Sequence, residues 1–565
     1  MKKILLPILL FVTFLSFGQR KRFADRYFEE YSYAKSAELY EGIYKKGDST
    51  AFILSRIGDS YYNISDYGNA EQWYEKLIKN YEDDILPEYF FKYSQTLKSN
   101  GKVSDSDAVM LKLQGIKDYD SRPEGLHNNK SYYGDYLNKK TSYSGINNLS
   151  TNTKYSDFGG FIYNNALYFA SSKPYTGSKR EKLYKWNNQP FLNVYKAIQK
   201  PLENEDSSLD VEKSEKVHEI NSKYHESNAI FTSDGNTMYF TRDNYNGKKL
   251  TKDKRNTVHL KLYRSDKTAQ GWSEAFELPF NNDAYSVGHG ALSPDEQTLY
   301  FVSDMPDGYG LTDVYKVSVT DGKTYGTPEN LGKLINTEGR EMFPYVDKEG
   351  TLYFASNGHL GLGALDVFKS NKESEDFSKP INLGTPINSA LDDFGFIVNE
   401  AHTKGYFSSN RPGGKGDDDI YSFTVSKNVN CTQVITGIVR STPDNSILAG
   451  AKITLVDSKG IVIGEMLSKS DGSYSFDVLT CDLESYTLKG DKVDFRSDLK
   501  VFQTNEVTDE KSITKIDLNL VLVPLISGNQ IVIKPIYFNF DKSNIREDAK
   551  YELENIVTVM RNHPE

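Results

Sequence analysis

Short stretches of alternating apolar and polar residues fill the middle of the chain, and three of them recur at a spacing of 53 residues. They begin at Leu299-Tyr300-Phe301, Leu352-Tyr353-Phe354 and Gly405-Tyr406-Phe407. Each passes a serine (Ser303, Ser356, Ser409) and a glycine-spaced loop before ending at Asp313-Val314-Tyr315, Asp366-Val367-Phe368 or Asp419-Ile420-Tyr421. Alternation with period two predicts half-buried strands. Less regular copies pair Leu167-Tyr168-Phe169 with Asn193-Val194-Tyr195, and Met238-Tyr239-Phe240 with Leu262-Tyr263.

An inner strand precedes each copy: Phe158-Gly159-Gly160-Phe161, Ser227-Asn228-Ala229-Ile230-Phe231, Gly288-His289-Gly290-Ala291-Leu292, Met342-Phe343-Pro344-Tyr345 and Phe394-Gly395-Phe396. A period near fifty with about four short strands per unit predicts a β-propeller. Five blades are expected over residues 140–427, with Ile146-Asn147-Asn148-Leu149 supplying a strand that fastens the ring. Closing elements run to Asn281, Asn336 and Asn388. The repeated Asp313, Asp366 and Asp419 invite a metal reading, but an aspartate closing a glycine-rich loop can accept backbone N–H bonds and fix the turn.

Before this region the period changes to that of helices. Residues 20–118 align Tyr27-Phe28, Tyr33 and Tyr40-Glu41 with Tyr61-Tyr62, Tyr67 and Tyr74-Glu75, a period of 34, with a fainter third copy. Gly58 and Ala70 are small enough to let two helices approach, and Tyr61 and Tyr74 line the expected groove. Gly47-Asp48-Ser49 and Gly58-Asp59-Ser60 imitate an esterase nucleophile turn, but the second falls inside a predicted helix. Residues 430–523 return to alternation, with Asp471-Gly472 turn chemistry, and predict a β-sandwich. Val523-Pro524 opens a linker, and 530–565 read as a strand ending at Phe540 followed by a helix with Ile545, Ala549, Leu553, Ile556, Val557 and Met560 on one face.

These segments resemble known families. The helical period and signature resemble the tetratricopeptide repeat. The Ser293-Pro294-Asp295 turn and blade signatures resemble TolB-like, WD-repeat-like propellers. The sandwich is similar to the carboxypeptidase regulatory-like module, which does not imply peptidase activity. Ile536-Tyr537-Phe538-Asn539-Phe540-Asp541-Lys542-Ser543-Asn544-Ile545 resembles the opening of an OmpA-like peptidoglycan-binding domain. The order of modules resembles OmpA-family proteins of Bacteroidetes-type secretion systems of type IX. That resemblance implies a periplasmic, non-enzymatic scaffold linking an outer-membrane or secretion assembly to peptidoglycan. Within it, Asp541, Lys542 and Ser543 would lie at the rim of the peptidoglycan site. The main gripping residues of that family would come after Glu565, so the natural protein is expected to continue. The alternative is a propeller that binds a glycan or peptide as a sensor. On either reading, the loops 304–312, 357–365 and 410–418, with Asp307, Tyr309, His359, Arg411 and Asp417, would face a partner.

Composition narrows the classes. A net charge of −10 disfavours nucleic acid as a partner. With 40 Tyr and 30 Phe among 565 residues, the chain is too aromatic for a disordered one. Lys2 and Lys3, the apolar run from Ile4 to Phe17 and the small residues Ser16 and Gly18 predict an export signal over 1–18. That run is shorter than the roughly 20 residues needed to span a bilayer. The two cysteines, Cys431 and Cys481, could form a disulfide worth about 4 kcal/mol in an oxidising compartment, or remain thiols. No Gly-x-Ser-x-Gly or His-Glu-x-x-His occurs, so neither catalytic residues nor a metal or cofactor is expected.

Overall fold

The structure, a computed structural model, describes residues 19–116, 120–139, 141–174, 182–200, 209–374, 376–425, 432–458, 460–479, 485–504, 513–533 and 547–564. Two compact units meet in sequence at Ser426 and Lys427. The expected export signal (1–18), Cys431, Cys481 and Asp541-Lys542-Ser543 lie outside the described residues. Among the described residues no helix is long and apolar enough to cross a membrane.

The first unit opens with helices joined by short turns. Residues 19–29 (α1) precede Tyr33–Tyr44 (α2); Ala51–Tyr62 (α3) precedes Tyr67–Tyr81 (α4); Glu88–Ser99 (α5) precedes Val103–Ile116 (α6). Ser121–Asn128 (α7) and Tyr132–Leu137 (α8) follow. Asp66 caps α4 by accepting from the Asn69 N–H. Gly58 is required where α3 meets α4, because a Cβ there would strike the Tyr74 ring. Tyr74 and Ala70 are fully buried. Tyr74 donates its hydroxyl to Asp59 (2.8 Å), which also accepts from Lys92 (2.6 Å). Gly58, Ala70 and Tyr74 therefore form the seam between two helices, with the Tyr74 ring filling the groove between them. Tyr61 is half-buried and ties α3 to α2 through Glu41 (2.7 Å). Asp59 and Ser60, the second esterase-like imitation, serve this packing: the Ser60 hydroxyl donates to the Arg56 carbonyl (2.7 Å).

Five antiparallel sheets of four or five strands follow and build a propeller. Their inner strands are Asp157–Tyr163, Glu226–Phe231, Val287–Leu292, Glu341–Val346 and Asp393–Val398. The fifth sheet takes its fourth strand from the start of the region: Tyr143–Asn148 (β1) pairs with Asp419–Val425. The fastening strand read from Ile146-Asn147-Asn148 thus ties the start of the region to its last sheet.

One side-chain device joins every sheet to the next. Asn152, Asn221, Asn281, Asn336 and Asn388 each accept from a backbone N–H and donate to the carbonyl of the same residue on the preceding sheet. Those residues are Ile420, Val194, Leu262, Val314 and Val367, at 2.7–3.1 Å. In four of the five, an acid five residues later (Asp157, Glu226, Glu341, Asp393) accepts the N–H of the residue after the asparagine. Asp313, Asp366 and Asp419 close their glycine loops. Asp366, for example, accepts from Leu362 N, Gly363 N (3.0 Å) and Asn382 Nδ2 (2.7 Å). The loop glycines Gly310, Gly363 and Gly416 press on the following sheet, where a Cβ would collide with backbone carbonyls.

In the second unit, two sheets enclose Ile435, Val439, Ile453, Leu455, Leu488, Leu520 and Leu522. One sheet is built on Thr432–Ser441 and the other on Lys452–Asp457 and Ser485–Asp491. A helix covers Glu547–Asn562. The expected apolar face is used in part: Leu553 and Ile556 are half-buried and Val557 and Met560 exposed, while Glu552 and Val559 are buried. Arg496 draws Glu552 inward with a 2.6 Å ion pair.

Candidate functional site

The inner strands share one local irregularity that shapes the channel between them. Each carries a bulge two residues into the strand. The residue in the bulge is left-handed in all five: Gly159 (φ 71°), Asn228 (49°), His289 (52°), Phe343 (51°) and Gly395 (60°). Phe343 in this region is strained, since a bulky side chain rarely adopts it. Neighbouring sheets catch freed N–H groups: Gly159 donates to Ser408 Oγ (3.0 Å) and His289 to Thr241 Oγ1 (2.9 Å).

These five residues line a cavity of about 720 Å3. Its aromatic surface includes Phe343, which packs on His289 (4.2 Å between ring centres) and Phe394 (4.7 Å). Asn228 Oδ1 and His289 Nδ1 are buried and have no hydrogen-bond partner in the protein. Burial pushes the His289 imidazole down to about 4, so it is neutral at physiological pH. The mouth is polar: Asn164, Asn165, Glu296, Asp347, Lys348, Asn399, Glu400 and Lys404 line it. Asp347 is itself buried, and that burial raises its carboxyl above the usual range.

Of the three loops expected to meet a partner, 357–365 is occupied within the chain, while 304–312 and 410–418 are largely exposed. Loop 357–365 lies against the helices: Asn357 O accepts from Gln95 (3.2 Å), Gly361 O accepts from Lys98 (3.2 Å), and Leu360 packs beside Phe91 and Tyr132. Tyr67 donates to both carboxylate oxygens of Asp392 (2.9 Å). Trp186 reaches from the first sheet to Asn63 O (2.8 Å) and stands edge-on to Tyr33. His359 is packed between Phe354 and Phe368 with Nε2 on Ile335 O (2.8 Å). Arg411 binds Pro386 O (2.9 Å) and Asp393 (2.6 Å). Asp417 accepts from Gln189. Of the five chosen loop residues, Asp307, Tyr309 and Asp417 stand exposed, and His359 and Arg411 are half-buried. The sequence marks these loops as polar and glycine-rich, but nothing local in it shows that a separate helical segment covers loop 357–365.

No family model matches the chain, and no curated relative matches it. Solved structures match parts of the chain at low similarity. An endo-arabinase from Bacteroides thetaiotaomicron is 14% identical over 49% of this chain and 95% of its own, with a TM-score of 0.31. A GH43 β-xylosidase/α-arabinofuranosidase from a compost metagenome is 11% identical over 54% and 97%, with a TM-score of 0.32. A puromycin hydrolase is 9% identical over 59% and 58%, with a TM-score of 0.27. Likeness at this level carries no argument about activity. The expectation of a non-enzymatic scaffold tying an envelope assembly to peptidoglycan is nonetheless corrected. The three structures named above are described as enzymes, which is said of them and not of this chain. The helical segment assigned to one partner packs on loop 357–365 and on Asp392 of the propeller.

Proposed function

We propose that the chain is an exported protein in which tetratricopeptide-like helical hairpins brace a five-bladed propeller, and that the propeller channel binds a neutral saccharide. One observation carries the reading: buried, unpartnered Asn228 Oδ1 and His289 Nδ1 line the channel beside the strained aromatic Phe343. A buried polar atom without a partner costs about 1–3 kcal/mol, which a ligand hydroxyl could offset. Aromatic walls suit the apolar face of a sugar ring, and the amides of Asn164, Asn165 and Asn399 at the mouth suit its hydroxyls. Charges of both signs at the mouth favour a neutral ligand over an ionic one. The basic-then-apolar start of the chain and the OmpA-like stretch near residue 540 support placement outside the cytoplasm.

The test is isothermal titration of the full chain with a panel of xylo-, arabino- and gluco-oligosaccharides, with chromatography of the same samples for released sugar. Binding by the wild type, weakened at least tenfold in N228A, is expected. A panel without binding, or binding unchanged in N228A, defeats the proposal. Sugar release that N228A abolishes would extend it to a glycan-processing enzyme.

A further inference from the structure

Beside the channel mouth, two turns from neighbouring sheets bring a histidine against two carboxylates. Asp347 and Glu349 lie in the turn that follows the inner strand Glu341–Val346, and His402 lies in the turn that follows Asp393–Val398. One ligand atom from each of the three residues falls within 4.8 Å of the others. His402 Nε2 is 2.5 Å from Glu349 Oε2 and 3.6 Å from Asp347 Oδ2. We propose that these three residues form a binding site for a divalent first-row transition ion, with zinc as the reference metal.

Each ligand is placed by its own turn. The Asp347 Oδ1 atom accepts from Glu349 N (3.0 Å) and Thr351 N (2.8 Å), which turns Oδ2 toward His402. The side chain of Asp347 is nearly inaccessible, so its rotamer is fixed by packing. His402 sits at φ 51° in a turn where its N–H donates to Asn399 O (2.9 Å). Its Nε2 atom is buried and makes no contact of hydrogen-bond geometry, even though Glu349 lies close. A buried imidazole nitrogen aimed at two carboxylates with no hydrogen bond of its own is the donor arrangement a metal completes.

The distances suit a small ion. Tetrahedral ligands about 2.0–2.2 Å from zinc stand roughly 3.3 Å apart. The His402–Asp347 separation is already near that value. Glu349 must draw back by less than 1 Å, which its half-exposed side chain allows. One imidazole and two carboxylates favour zinc or a neighbouring transition ion over calcium, which takes six to eight oxygens. The competing cation is Lys348, 3.7 Å from Glu349 Oε1, on the other carboxylate oxygen. Three protein ligands leave a coordination position open, as in sites where zinc acts on a bound molecule.

The test uses the full chain, freed of any affinity tag and treated with EDTA, titrated calorimetrically with ZnCl2 in the absence of saccharide. It therefore stands or falls apart from the saccharide reading. One ion per chain is expected, with affinity at least tenfold weaker in H402A and several-fold weaker in E349Q. Both side chains are partly exposed, so both variants should fold, and thermal melting confirms it. Cobalt bound in place of zinc should give visible d–d absorption that H402A abolishes. No zinc binding by the wild type, or binding that persists at full strength in H402A, overturns the proposal.

Discussion

Replacing Asn388 with alanine tests whether the inter-sheet asparagines hold the ring. Asn388 is about 1% exposed. Its amide accepts from Val367 N (2.7 Å) and donates to Val367 O (2.9 Å) and to Asn382 Oδ1 (2.8 Å). Three hydrogen bonds at about 1 kcal/mol each give about 3 kcal/mol. For the two bonds to Val367, the cost of leaving its N–H and C=O unpaired in the interior replaces the net value, at about 1–3 kcal/mol each, less whatever an entering water recovers. The expected loss is therefore about 3–5 kcal/mol. Urea unfolding of the full chain, followed by the fluorescence of its three tryptophans, of which Trp186 and Trp272 lie in the propeller, measures it. N80A is the control, since exposed Asn80 makes only one hydrogen bond, within its own helix, and should shift stability by less than about 0.5 kcal/mol. A loss in N388A below about 1 kcal/mol, or equal to that of N80A, would refute the reasoning.

Two further outcomes follow from the same structure. Tyr67→Phe removes the hydroxyl that donates to both oxygens of buried Asp392, so stability should fall by about 1–3 kcal/mol; protease cutting between the helices and the first sheet should quicken, and unchanged cleavage would show that the contact does not hold them together. Burial pushes the Glu341 carboxyl up to about 7 from an ordinary 4.5, so the folded state keeps its proton longer than the unfolded chain. The resulting stabilisation is complete below about pH 4.5 and is lost as pH rises through 7, on the order of 3 kcal/mol in all. E341Q should flatten the wild-type fall in stability between pH 4.5 and 7, and an unchanged slope would assign it to other groups.

Much of the propeller was legible because its signals are local. Tyr300, Tyr353 and Tyr406 recur at one spacing and occupy the same place in the second strand of successive sheets. Period-two alternation reports directly which side of a strand is buried. The asparagine-plus-acid device was legible only in part. Asn281, Asn336 and Asn388 stood out as ends of elements, but Asn152 and Asn221 precede irregular copies, and the acid five residues on becomes meaningful only when its backbone partner is known. The left-handed bulge could not be read, because Gly, Asn, His and Phe share that position and no residue type marks it.

The sequence by itself determined the elements: helix pairs, then five sheets of short strands with a fastening strand, then a sandwich. Those follow from side-chain period and turn chemistry within about fifty residues. The tertiary structure alone decided what faces what. It buried the Gly58–Tyr74 seam and laid Tyr67 and Lys98 on the propeller loops. It also brought His402 to Asp347 and Glu349 from a different sheet. Contacts between residues tens to hundreds of positions apart depend on how complete elements pack, and a local pattern carries no record of that packing.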